Sequence, residues 1–178
     1  MRIYTDIITG KELISDSYKS TLLDGNILEI KGAYVDPDNV DNVDIGCGNE
    51  FGGGDDNELE SNTEKVMNLV HAFELKPQYF DDKKEFGGFL KSFIKDVQTE
   101  HLKDKPEVAK NWDMKNKDSP IMKFFANVSK KFDDCEFYQS SAFEEGDEGV
   151  IVIAIWKDTS DSAPHFYYFL DLMKETKL

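Results

Sequence analysis

The sequence predicts an α+β fold, with antiparallel strands from both parts of the chain flanking one helical block. Within residues 80–132 the apolar period is that of a helix: Phe86, Phe89, Leu90, Phe93, Ile94 and Val97 fall at i, i+3, i+4, i+7, i+8 and i+11. On both sides of the block the period drops to two. Near the N-terminus, Asp24-Gly25 separates two short runs, residues 18–23 and 26–30, a strong hairpin signal.

Taken in order, residues 2–8 are rich in β-branched and aromatic side chains and read as a strand, with Ser15 and Asp16 as an interruption. The Asp24-Gly25 hairpin follows, and residues 33–35 add a third short strand. Residues 36–60 then hold nine acids, five glycines and no Lys or Arg. Such a stretch buries little and repels itself, so a mobile surface loop is expected. Ser61-Asn62-Thr63-Glu64 matches a capping box, and Val66, Leu69, Val70 and Phe73 continue at helical spacing, so a short helix is expected before Leu75-Lys76-Pro77.

The block itself carries two stripes. The second is Ile121, Phe124, Phe125, Val128 and Phe132, and Lys105-Pro106 separates it from the first. Ser119-Pro120 supplies an N-cap and a first-turn proline, so the second arm breaks or kinks there. The two arms are predicted to fold back as an antiparallel hairpin whose phenylalanines pack together and onto the sheet. Gly87-Gly88 lies inside the first stripe and costs about 1 kcal/mol per glycine relative to alanine. Close approach of another backbone is the expected reason for the pair. Beyond the block, residues 135–143 read as a strand and 144–149 as an acidic turn. Residues 150–156 are apolar throughout and read as the most buried strand, and residues 165–172 as the last. One domain over residues 1–178 is expected.

Charge and cysteine content narrow the function classes. The net charge is −15, which disfavours nucleic acid and anionic membranes and favours cations or basic surfaces. Residues 80–132 run the other way, with twelve Lys and no Arg against nine acids. Cys47 and Cys135 form no C-x-x-C pair, so neither a zinc site nor a disulfide framework is expected. No signal-peptide pattern opens the chain and no apolar run reaches the roughly 20 residues of a membrane span. A monomer in the cytoplasm, with reduced thiols, is the expectation.

No stretch announces catalysis. Asp36, Asp38, Asp41 and Asp44 could hold calcium weakly, yet they miss the EF-hand pattern, because the sixth-position glycine and the closing glutamate are absent. A solvated loop is the plainer reading. The glycines at 46–54 complete no phosphate-binding motif, and their acidic neighbours repel phosphate. His71, His101 and His165 have no metal spacing. Asn127-Val128-Ser129 is a glycosylation sequon inside an expected helix, and is expected to stay unused. Cys47 reads as an ordinary thiol whose acidic surroundings raise its pKa. Lys83, Lys84, Lys91 and Lys95 stand beside the first stripe. They read either as a solvated face or as a platform for an acidic partner.

Several pieces in order resemble the translationally controlled tumour protein family. Residues 1–8, then Glu12 and the run Ser15-Asp16-Ser17-Tyr18-Lys19, are similar to that family's opening. The likeness continues through Asp24-Gly25 with Leu28-Glu29-Ile30, Ile45-Gly46 with Asn49, residues 66–70 and 89–94, Lys105-Pro106-Glu107, and residues 132–138 and 166–174. Departures are visible too. Gly48-Asn49 is followed by Glu50-Phe51-Gly52, where the family pattern resembles Gly-Asn-x-Ser-x-Glu. Ser140-Ser141 stands where the family has Gly-Glu, and Pro120 interrupts a helix the family makes continuous. The resemblance implies a β-tent core, similar to that of a small chaperone of Rab-type GTPases, with a projecting helical hairpin and no zinc. It implies a non-enzymatic regulatory protein that binds calcium, small GTPases, tubulin and anti-apoptotic factors in growth and survival control. The GTPase-facing glutamate falls on Glu12, and the second acidic position falls on Ser141. A simple calcium buffer, or an enzyme with a site hidden in the β core, are the alternatives.

Overall fold

The computed structural model describes residues 1–37 and 64–178. The acid-rich stretch from Asp38 onward, with Asp38, Asp41, Asp44, Cys47 and the capping-box residues 61–63, lies outside the described residues, as does most of the expected mobile loop.

Among the described residues, three antiparallel sheets make up the β framework. Strands β1 (Arg2–Asp6) and β2 (Glu12–Ser15) join β11 (Met173–Lys177) in the order β11-β1-β2. The largest sheet has six strands: β3 (Thr21–Leu23), β4 (Ile27–Lys31), β10 (His165–Phe169), β9 (Val152–Ile155), β8 (Cys135–Gln139) and β7 (Lys76–Gln78), in that order. A two-stranded ribbon pairs β5 (Tyr34–Val35) with β6 (Val66–Met67). The β3–β4 hairpin turns where the sequence places it: Asp24 and Gly25 both take left-handed backbone angles (φ 54° and 81°), and Asn26 N donates to Leu23 O at 3.2 Å. Two consecutive left-handed residues suit Asp-Gly because the second has no Cβ to clash.

The helical block is an insertion between two neighbouring strands, because β7 and β8 pair directly. After the short helix α1 (Asn68–Phe73) and β7, helix α2 spans Lys83–Asp96. Asp82 caps α2 by accepting from Glu85 N. The helix then widens into a π turn, Val97–His101, which Leu102 N closes on Val97 O at 2.8 Å. Helix α3 (Pro106–Ala109) begins at the expected proline, and helix α4 (Pro120–Lys130) is capped by the Ser119 hydroxyl. The second arm is therefore broken where Ser119-Pro120 predicts.

The arms lie on the sheet through their aromatic stripes. Phe86 stacks on Phe137 of β8 at 4.7 Å, and Phe125 packs against Phe169 of β10 at 5.3 Å. Phe124 meets Tyr167 and Phe169. Trp112, which neither stripe includes, ties the arms together. Its ring contacts Phe93 of α2, Phe125 of α4 and Phe169 of the sheet, it is 0% exposed, and its Nε1 donates to Asp171 Oδ2 at 3.0 Å. Burial raises the Asp171 carboxyl above its ordinary range, and the Trp112 donor only partly opposes this. On the other sheet face Tyr138 stacks on Phe166 at 5.8 Å. The β5–β6 ribbon covers that side: a Cβ on Gly32 would meet both the Met67 sulfur and the Phe166 ring within 3 Å. With both faces covered, all four residues of β9 are buried, as an unbroken apolar run requires.

The structure corrects several boundaries. The expected strand over 135–143 ends at Gln139, because Ser140 caps a 3₁₀ turn, Ser141–Glu145. The expected last strand over 165–172 ends at Phe169. A second 3₁₀ turn, Leu170–Leu172, redirects the chain into β11. Val66 and Met67 form β6 before α1 begins. Gly87 and Gly88 are not explained by close packing among the described residues, since nothing there beyond the helix's own neighbouring backbone lies within 4 Å of a Cβ built on either.

Candidate partner-binding surface

The β1–β2 turn is anchored by one side chain. Asp6 closes β1 and is 1% exposed. Its Oδ1 accepts from Ile8 N at 2.7 Å and Thr9 N at 3.2 Å, an Asx-type turn that organises its own next residues. Its Oδ2 accepts from Val150 N at 2.9 Å, reaching across to the segment that enters β9. Backbone bonds complete the turn: Asp6 N donates to Lys11 O, and Gly10 N, at a left-handed φ of 78°, donates to Asp6 O.

Further polar contacts fix the turn against residues 139–150. Thr9 and Ser140 hydroxyls lie 3.2 Å apart, and Ser140 Oγ accepts from Ala142 N. The buried Gln139 amide donates to Gln78 Oε1 at 2.8 Å and accepts from Gly149 N at 2.6 Å. Gly149 is required here, because a Cβ would stand 2.1 Å from Asp6 Oδ2. The carboxylate, amide and hydroxyl together satisfy backbone donors that no strand partner reaches, as buried polar groups must be satisfied.

Glu12 follows this turn as the first residue of β2. It pairs with Thr5 and is exposed, and its carboxylate engages no hydrogen bond or ion pair among the described residues. It therefore opens a strand, and Ser15, expected to interrupt one, closes it. Through Thr9 and Ser140 the structure brings the turn that precedes Glu12 beside Ser140-Ser141. Ser141 is half-buried and opens the 3₁₀ turn that Ser140 caps.

The lysines form a separate surface. Lys83, Lys84, Lys91 and Lys95 are all exposed on α2, and none has an acidic partner within ion-pair distance among the described residues. Lys84, Lys91 and Lys95, at i, i+7 and i+11, share one stripe. Of the acids considered for calcium, only Asp36 is described; it is half-buried. Among the described residues no group of His, Cys, Asp and Glu could hold a metal ion. Cys135 is half-buried, and its thiol donates to Lys131 O. Burial, and then the Asp134 carboxylate, push that thiol up to about 12, which disfavours the thiolate at neutral pH.

Sequence reasoning missed Asp6, Gln139 and Gly149 as the elements that position Glu12. An acid ending a strand, four residues before a glycine, is a readable sign of a turn. The Gln139–Gly149 contact has no local sign, since only tertiary pairing brings the two together.

A family model described as translationally controlled tumour protein matches residues 1–174. A translationally-controlled tumor protein homolog of Neurospora crassa is 34% identical over 179 residues, covering 100% of both chains. One of Schistosoma japonicum is 28% identical over 177 residues, with 99% of each chain covered. Among solved structures, the tumor-associated protein p23fyp of Schizosaccharomyces pombe superposes with a TM-score of 0.71 at 26% identity over 100% of both chains. The Caenorhabditis elegans protein gives 0.65 at 22% identity, covering 100% of this chain and 99% of its own, a likeness of fold.

Proposed function

The chain belongs to the translationally controlled tumour protein family, and on that premise we propose that it is a non-enzymatic regulatory protein of the cytoplasm that docks a small GTPase through the Glu12 turn. The observation that carries the reading is an unpaired, exposed carboxylate at the end of a turn fixed by Asp6. Such a turn holds Glu12 in place before any partner arrives, which reduces the ordering cost of binding. GTPase switch and phosphate-loop regions offer Lys, Arg and backbone N–H donors, and a charge-assisted hydrogen bond to one of them is worth about 1.5–3 kcal/mol.

The test is a pair of substitutions measured against a captured small GTPase. Glu12→Ala is expected to weaken binding about tenfold or more without lowering the melting temperature, a change of about 1.4 kcal/mol. Ser141→Glu, which restores an acid beside the turn, is expected to strengthen it. Unchanged affinity in both variants removes the GTPase role from this surface.

Other partners follow from the remaining charge. The exposed lysines Lys83, Lys84, Lys91 and Lys95 suit an acidic segment such as a tubulin tail. Calcium is proposed to bind weakly to the acids beginning at Asp36, at about 10⁻⁴–10⁻³ M, by charge without a preformed cage. Calorimetry giving a sub-micromolar affinity would contradict that part. No helix among the described residues is long and apolar enough to cross a membrane.

A further inference from the structure

The β7 edge of the six-stranded sheet carries a groove of about 270 Å³. Its walls include Tyr79, Phe80 and Tyr138. Among the described residues, the charged ones lining it are Asp133 and Glu136, with no Lys, Arg or His. Strand register gathers the key groups on one side. Pro77 pairs with Tyr138, and alternation puts Glu136, two residues earlier on β8, on that same face. Tyr79 follows Pro77 by two residues and continues the row.

Tyr79 is 83% exposed, the most exposed large hydrophobic side chain among the described residues, and so adds little to the fold. Tyr34, on the β5–β6 ribbon, is 45% exposed. Burial, then the Glu136 carboxylate, then Tyr34 and Tyr79 push the Tyr138 hydroxyl up, so all four groups lie within electrostatic reach. Trp156 Nε1 donates to Glu136 Oε1 at 3.3 Å. No cation pairs with Glu136 or Asp133 among the described residues. Lys76, the one cation of β7, pairs with Glu144 at 3.2 Å and does not line the groove.

We propose that this groove receives the guanidinium or ammonium group of a basic partner segment, seated against the tyrosine rings and Glu136. Aromatic faces attract cations, and a neighbouring carboxylate adds a charge-assisted hydrogen bond. A planar guanidinium can do both, stacking on a ring while its edge meets Glu136. The net charge of −15 favours encounter with a basic segment. Strand β7 has three residues, and Pro77 lacks an N–H, so pairing of a partner's backbone on this edge is short and side-chain recognition must supply the binding. This surface involves neither Glu12 nor the β1–β2 turn, so its success or failure is separate from that of the GTPase reading.

The experiment titrates the whole protein with a short acetylated, amidated peptide carrying two arginines, read through the ring NMR signals of the tyrosines at about 0.15 M salt. The Tyr79 and Tyr138 signals are expected to shift. A peptide with neutral citrulline in place of arginine is expected to bind about tenfold more weakly or not at all. Tyr79→Ala and Glu136→Gln are each expected to weaken the arginine peptide about threefold or more. Asp24→Asn removes one charge at the β3–β4 turn, at the opposite edge of the same sheet and in a backbone conformation that asparagine tolerates. It is expected to change binding by less than about twofold. Unmoved tyrosine signals, or equal binding of the citrulline peptide, overturn the proposal. So does an Asp24→Asn loss as large as that of Glu136→Gln, because general acidity alone would then account for the binding.

Discussion

The helical block and the β1–β2 turn are held to the same sheet system by opposite means. The block is attached by large aromatic rings: Phe86 on Phe137, Phe125 on Phe169, and Trp112 between the arms. The turn is attached by a carboxylate, an amide and two hydroxyls, each with specific partners. Ring contacts bury much apolar area but tolerate small slides, whereas hydrogen bonds tolerate little error in distance or angle. The block therefore supplies stability and the turn supplies position. Position is what the docking role proposed for the Glu12 carboxylate would need.

The largest effects are expected on the aromatic side. Trp112→Ala and Phe93→Ala remove rings from tightly packed sites, and each is expected to cost about 3–5 kcal/mol in denaturant melts. A loss under about 0.5 kcal/mol would mean that the arms do not depend on this packing. On the polar side, Gly149→Ala forces a methyl group against the Asp6 carboxylate, and a loss of about 1–3 kcal/mol is expected. Its distinguishing sign is local: amide exchange at Ile8 and Thr9 is expected to speed up more than exchange in α2. Uniform acceleration through the molecule would show that the bracket contributes stability and no separate positioning.

Smaller changes sharpen the contrast. Gly87→Ala and Gly88→Ala place a methyl group in open space on a helix, so each is expected to stabilise by up to about 1 kcal/mol, read as a higher melting temperature. Destabilisation would reveal a neighbour that the geometry does not contain. Glu29 gives the smallest effect. Burial raises its carboxyl, but hydrogen bonds from Tyr167 and Lys157 outweigh this and leave its pKa lowered. A lowered folded pKa contributes stability above the ordinary glutamate range and loses it as pH falls through the folded value. Melts from pH 6 down to about pH 3 are expected to show a shallower acid loss in Glu29→Gln than in the parent chain. Equal slopes would mean that the Tyr167 bond has no weight in solution.

Much of the helical block was legible in the sequence, because its signal repeats locally. Six apolar residues at helical spacing leave one reading, and Ser119-Pro120 marks a start by its own chemistry. The family was also legible, since weak pieces in a fixed order add up over the chain. Strand ends were less so. Nothing in residues 139–143 separates a continuing strand from a 3₁₀ turn until Ser140 caps Ala142 N. Strand β11 reads as a polar tail, and only its pairing with β1 makes it a strand. Trp112 lay outside both stripes because it belongs to the gap between the arms. At the candidate surface, the exposure of Glu12 was readable from its charge. Its support was not: the Asp6–Val150 and Thr9–Ser140 contacts join residues more than a hundred positions apart, and Gly149 also matters through a missing Cβ.

The pairing of β1 with β11 also sets an order of assembly. β1 is the middle strand of its sheet, and its register joins residue 2 to residue 177. Closing so long a loop is entropically costly and slow, whereas α2 and the β3–β4 hairpin close within a few residues. Until β11 arrives, β1 and β2 form a half-sheet with an open edge, the kind of surface on which two unfinished chains can pair. The charge of −15 is present from the start of folding and makes identical chains repel one another. The chain's net excess of acid thus opposes pairing between unfinished chains before any native contact exists to do so.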